Sequence, residues 1–260
     1  MLDWLKRLTL DQWAALADQY PVDTSASERH HYKVAGMYLV VGLVLWFNRF
    51  HAWDSYGWVP ADFWPEAPHP KVYNRIWWAW MVSIAYFVPG WLYARYVLGM
   101  KLSELGFRAK GFLEHLPVYL LCLGVVMPFV VLFSYEPGFR KTYPLAWYAA
   151  DSWSILINWE VAYAIQFVSL EFFFRGLMLF AGAKILGRWV VPFMVMPYLM
   201  LHFTKPEMEA IGSIIAGTVL GVLALRTRSI YAGMMIHITV AWSMDLLSLW
   251  HRGALQELLD

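Results

Sequence analysis

The sequence predicts an all-α protein, a polytopic transmembrane helix bundle of about seven spans preceded by an N-terminal interfacial amphipathic helix. Three observations carry that expectation. Hydrophobic residues make up 60% of the 260 positions and charged residues only 15%, whereas water-facing globular chains carry about 25% charge. Mean hydropathy is +0.47. The apolar residues also gather into runs, and a membrane-crossing helix at 1.5 Å rise per residue needs roughly 17 to 25 of them.

Seven runs approach that length, at about 34–48, 76–98, 116–135, 153–182, 189–203, 209–225 and 231–250, each bounded by charges, Pro or Gly. Ahead of them, residues 3–19 set Leu2, Trp4, Leu5, Leu8, Trp13 and Leu16 against Asp3, Lys6, Arg7 and Asp11. That pattern suits a helix lying in the membrane interface; a helix packed on other protein would show the same pattern. The acids and the Trp in this stretch interrupt the apolar core that a cleaved secretory signal needs. Residues 99–115, GMKLSELGFRAKGFLEH, read as an amphipathic segment on the inner surface. The expected organisation is an N-terminal segment, 1–33, followed by one transmembrane domain, 34–260, without repeats or low-complexity tracts.

Basic residues are retained on the cytoplasmic side. An N-inside topology places Lys6, Arg7, Arg29, Lys33, Arg95, Lys101, Arg108, Lys110, Lys184, Arg188, Arg226 and Arg228 inside. Seven bases fall outside: Arg49, Lys71, Arg75, Arg140, Lys141, Lys205 and Arg252. Helical spans exclude an outer-membrane barrel, so the cytoplasmic (inner) membrane is the expected location. Aromatic residues reach 18%, with Trp77, Trp78 and Trp80 clustered, as interfacial belts require. A net charge of +1 provides no basic field for a nucleic acid. The lone Cys122 excludes a disulfide framework within the chain.

Ionisable residues inside spans cost several kcal/mol, so each one needs a partner or a purpose. In SLEFFFRG, Glu171 and Arg175 stand four apart and therefore meet on one helical face. Glu160 falls about 20° from Glu171 around the same helix. His202 lies in the apolar run YLMLHF, and the turn at Pro206 brings Lys205 and Glu209 into its neighbourhood. His237 and Asp245 sit about 80° apart on the last span.

One carboxylate and two imidazoles can hydrolyse a peptide bond. The acid takes a proton from water, while the histidines orient that water and stabilise the oxyanion. Arg175 would fix the carboxylate. No Ser or Cys stands beside these groups as a nucleophile, so direct attack by water is the simpler chemistry, and no cofactor is required. The rival arrangement is a Zn site of Glu171, His202 and His237, although the HExxH signature of most zinc peptidases is missing.

At these positions the sequence resembles the CAAX-protease and bacteriocin-processing family of intramembrane proteases, often called CPBP or Abi. The family pattern is EExxxR, then FxxxH, then HxxxN on successive helices. Its counterparts here are Leu170 to Arg175, Tyr198 to His202 and His237 to Ala241. HFTKPEME resembles the HxGKPxxE extension of part of the family, and LSELGFR the LxxLGxR segment that precedes the core; together the resemblance covers about 101–250. It implies catalytic roles for Glu171 as water activator, His202 as its assistant, His237 as oxyanion donor and Arg175 as orienter of Glu171. Lys205, Glu209 and Asp245 would line the binding cavity.

Two positions depart from the pattern. Leu170 replaces the first Glu, and Ala241 replaces the Asn. The sequence thus supports an intramembrane peptidase acting on a membrane-associated peptide or protein. The alternative is an inactive relative that binds and stabilises a membrane partner. Buried Glu, His and Asp would also suit a proton-coupled carrier, but no inverted repeat supports one.

Overall fold

The computed structural model describes residues 4, 6–7, 9–66, 68–109 and 112–259. These form helices joined by short turns, with no strand among the described residues. In chain order the main helices are α1 (Leu10–Gln19), α2 (Glu28–Phe50), α3 (Val72–Leu92), α4 (Phe112–Phe133), α5 (Pro137–Thr142) and α6 (Trp153–Glu171). After α6 come a π-helical stretch, Phe172–Leu179, and then α7 (Phe180–Leu186), α8 (Val190–Met200), α9 (Glu207–Thr227), α10 (Tyr231–His251) and α11 (Ala254–Leu259). The all-α membrane bundle expected from composition is therefore the observed fold.

Among the described residues, five helical runs are long and apolar enough to cross a membrane: Glu28–Phe50, Glu114–Phe133, Trp153–Met200, Glu207–Thr227 and Tyr231–His251. The run Trp153–Met200 is 48 residues long, ~72 Å if straight, more than twice a hydrocarbon core. It is not straight. Phe174 meets Tyr198 with ring centroids 5.5 Å apart, and Gly182 lies against Val190, so the run folds back on itself near residue 187. Gly187 makes the reversal, with φ +54° and a position where an added Cβ would meet the Tyr20 carbonyl at 2.5 Å. Only glycine tolerates that backbone without strain. The two expected runs at 153–182 and 189–203 are thus the arms of one helical hairpin. α3, expected as a span, is a 21-residue helix that falls outside the five; its Trp, Tyr, Asn and Arg residues keep it less apolar than the rest.

The chain divides into two compact units. The first comprises Met1–Gly42, Phe87–His115 and Glu171–Gly233. Here α1 docks on the hairpin turn and the end of α9. Arg188 Nη1 donates to the Trp13 carbonyl at 3.0 Å, and the Trp13 and Trp189 rings meet edge to face at 5.7 Å. Tyr20 OH donates to the Leu225 carbonyl at 3.1 Å, supplying a partner near the C-terminus of α9, where helical carbonyls run out of intrahelical donors. Leu2, Asp3, Leu5 and Leu8 of the expected interfacial stretch lie outside the described residues. Within the segment 99–115, Leu102–Leu105 forms a 3-10 turn and Phe112 begins α4, while Lys110 lies outside the described residues. This segment is pinned to the α9–α10 turn. Ile230 N–H donates to the Gly106 carbonyl at 3.0 Å, and the Ser229 hydroxyl to that of Arg108 at 2.9 Å.

The second unit comprises Leu43–Tyr86, Leu116–Leu170 and Met234–Asp260. Its core joins Val72, Ile76 and Ala79 of α3, Ile155, Leu156, Trp159, Ala162 and Tyr163 of α6, and Ala241 and Leu249 of α10. Small residues at Ala79, Ala162 and Ala241 let the helices approach closely, as membrane helices commonly do. The contrast in burial sorts the helices. Only 11% of the apolar window of Glu114–Phe133 is buried, against 78% of the window in Trp153–Met200, so α4 presents most of its surface outward.

Candidate active site

In the first unit, the π-helical stretch carries the sequence FFFRGLML entirely buried. Such widened turns are frequent at functional sites. Glu171 Oε1 accepts from Arg175 Nη1 at 2.8 Å, and both side chains are 0% exposed. The four-residue spacing made this pairing legible, because it is a property of one helix alone. The guanidinium lies over the Tyr198 ring, 4.4 Å from its centroid. The Tyr198 hydroxyl shares the electrostatic surroundings of Arg175, Glu171 and Glu209. Tyr198 also packs beside His202, with centroids 4.9 Å apart.

His202 Nδ1 lies 3.0 Å from the Tyr198 carbonyl. A carbonyl only accepts, so Nδ1 carries the proton in that bond. The turn that follows returns the Lys205 N–H to the His202 carbonyl at 3.0 Å. Pro206 is extended, with ψ 144°, and α9 starts at the next residue, which places Glu209 in its first turn. The structure therefore gathers Glu171, Arg175, Tyr198, His202 and Glu209 within one compact unit.

Gly233, at the start of α10, was not expected to matter. A Cβ at this position would overlap Glu171 Oε2, so the carboxylate rests directly against the backbone of α10. The signal was present: Gly233 precedes His237 by four residues and so shares its helical face.

In the second unit, α6 and α10 run antiparallel. Trp159 Nε1 donates to Asp245 Oδ2 at 2.7 Å, and both residues are 0% exposed. Asp245 is therefore buried in its helix pair. Trp242 Nε1 donates to the Glu160 carbonyl at 3.1 Å. Glu160 stands within electrostatic range of Asp245, and neither of its carboxylate oxygens has a hydrogen-bond partner among the described residues. The aromatic rings of α6 continue the register: Trp159 stacks on Tyr163 at 4.7 Å, Tyr163 meets Phe167 at 4.8 Å, and Phe167 stacks on the His237 imidazole at 5.3 Å. This ladder at i, i+4 and i+8 was visible in the sequence, but its partner helix was not. Beyond the end of α10, Arg252 sits over Trp147 at 4.0 Å. Burial holds its guanidinium below the usual arginine range, and the Asp245 carboxylate acts in the opposite direction.

Among the described residues, no three His, Cys, Asp or Glu side chains are grouped closely enough to hold a metal ion.

Fold and site together define a multi-pass membrane protein with ionisable groups buried inside its helices. Residues 152–243 match the family described as Rce1-like, Type II CAAX prenyl endopeptidase. The match covers the helices that carry Glu171, Arg175, His202 and His237, and it supports the CPBP/CAAX-protease resemblance carried by the motifs. No curated protein and no solved structure matches the chain.

Proposed function

We propose that this protein is an intramembrane endopeptidase of the CAAX type, cleaving a membrane-associated peptide by water that Glu171 activates. The observation that carries this reading is the Glu171–Arg175 pair packed on Tyr198 beside His202, whose Nδ1 donates to the Tyr198 carbonyl. In the reaction, Glu171 takes a proton from water and the hydroxide oxygen bonds to the scissile carbonyl carbon. His202 orients that water, and the oxyanion donor is the residue that the family resemblance assigns, His237. The proton then passes to the leaving nitrogen as the C–N bond breaks. Arg175 holds Glu171 in place through the bond at Oε1. Lys205 and Glu209, in the same compact unit as Glu171 and His202, are the residues proposed to bind substrate, whereas Asp245 holds Trp159 of α6. No metal takes part. The protein lies in the cytoplasmic membrane with its N-terminus inside, among lipids and its peptide substrate.

A second reading rests on a different observation. Glu171 is fully enclosed against Gly233, and Leu170 and Ala241 stand where the family pattern has Glu and Asn. Such a chain would bind and stabilise a membrane-protein partner without cleaving it. The two readings separate in reconstituted vesicles presented with a farnesylated CAAX peptide. Cleavage by the wild type that disappears in Glu171→Gln and His202→Ala supports the protease. Cleavage that survives Glu171→Gln overturns the assignment of the base. Absence of cleavage, together with a stoichiometric co-purifying partner and full complementation of a deletion by Glu171→Gln and His237→Ala, establishes the second reading.

A further inference from the structure

Tyr198 of α8 engages the candidate site through three separate parts of one residue. It is buried, 3% exposed, and its ring is held on several sides. The Phe174 ring meets it edge to face at 5.5 Å, and a Cβ added at Gly217 of α9 would come within 3.1 Å of its Cδ1. The Arg175 guanidinium lies over its face, 4.4 Å from the centroid, where the ring quadrupole attracts a cation.

The carbonyl of Tyr198 serves a different partner. The last turn of α8 tightens, so that His202 N–H donates to the Leu199 carbonyl at 2.8 Å, and Leu201 N–H approaches the Tyr198 carbonyl at 3.3 Å. Carbonyls at a helix end run short of backbone donors. His202 Nδ1 supplies this one at 3.0 Å, which ties the imidazole to the Tyr198 main chain.

The hydroxyl adds what Phe, the residue of the family pattern at this position, lacks. Arg175 is a hydrogen-bond partner of the Tyr198 hydroxyl, and Glu171 and Glu209 act on it electrostatically. A guanidinium only donates, so the phenol oxygen accepts. Arg175 meets Glu171 by one bond, Nη1 to Oε1, whereas arginine and carboxylate frequently close into a two-pronged pair. Such a clamp would occupy both carboxylate oxygens and make Glu171 a poorer acceptor for a proton from water.

We propose that Tyr198 is a positioning residue: its hydroxyl and ring hold Arg175 in the one-pronged bond to Glu171, and its carbonyl holds His202. One residue thus sets both the proposed base and its assistant. The catalytic consequence rests on the peptidase reading; the holding of Arg175 does not.

Two measurements on the full chain test this. With the farnesylated CAAX peptide in vesicles, Tyr198→Phe is expected to lower kcat about tenfold or more while KM stays within about twofold, the pattern of a misplaced catalytic group. The folded fraction should match the wild type. An unchanged kcat overturns the proposal and leaves the peptidase reading standing, and activity lost only in step with folded protein assigns the hydroxyl to packing and also overturns it. The second measurement needs no cleavage: a double-mutant cycle of Tyr198→Phe with Arg175→Met, or with Arg175→Lys should the first not fold, read by unfolding in detergent. A coupling of about fivefold or more in the unfolding equilibrium is expected for one hydrogen bond, and additivity within about twofold overturns the proposal. A wild type that cleaves nothing overturns the peptidase reading, and the cycle then decides the role of Tyr198 by itself.

Discussion

The two buried carboxylates, Glu171 in one compact unit and Asp245 in the other, meet the same physical demand in different ways. Glu171 has a full counter-charge one helical turn away, in a bond of 2.8 Å to Arg175. Asp245 accepts a hydrogen bond of 2.7 Å from a neutral indole and has a second acid, Glu160, in electrostatic range. The first is a locally neutral pair whose partner comes from the same helix. The second depends on a helix contributed from elsewhere in the chain. Local pairing survives changes in helix packing, whereas the Trp159–Asp245 bond exists only in one antiparallel register. The comparison shows why the motif-bearing helix can present an acid inside the membrane without help from its neighbours.

This contrast can be broken by substitution. The largest effect is expected from Arg175→Met, which strands a buried charge and should lower stability by about 3–5 kcal/mol. Unfolding in detergent would show it, and the double variant with Glu171→Gln should regain most of the loss because both charges are gone. If the single variant unfolds like the wild type, the pair does not hold the helix. Trp159→Phe keeps the ring area but removes the donor to Asp245, at an expected cost of about 1.5–3 kcal/mol for a bond to a charged acceptor.

Gly233→Ala sharpens the comparison from the other side. Its added methyl collides with Glu171, and overpacking of this kind costs about 1–3 kcal/mol. Combined with Glu171→Ala the penalty should largely vanish, and a double-mutant cycle would measure that coupling. Additive effects would mean that Glu171 does not rest on Gly233. The smallest change is expected from Phe167→Leu, which removes the ring stacked on His237 and should cost about 0.5–1.5 kcal/mol beyond lost area. It should also broaden the His237 ring resonances in an NMR spectrum; unchanged resonances would exclude the stack.

Periodicity and composition made the helices legible, with most boundaries within a few residues, because apolar runs and their charged ends are local signals. The 3.6-residue repeat made the Glu171–Arg175 pair equally readable. The Arg175 contact with Tyr198 was not legible, since it requires the hairpin reversal at Gly187, nor was the rest of Glu171 against Gly233. The register that sets Trp159 on Asp245 and Phe167 on His237 was equally hidden, although both halves of it stand in plain view along the chain. The 99–115 segment shows the same limit: its amphipathic pattern was legible, but the hydrogen bonds from Ser229 and Ile230 to the Arg108 and Gly106 carbonyls were not. Apolar burial favours removing surface from water or bringing helices together without naming which faces meet. That choice falls to side-chain shape, close approach at small residues and hydrogen bonds between distant segments, and these are properties of the assembled fold.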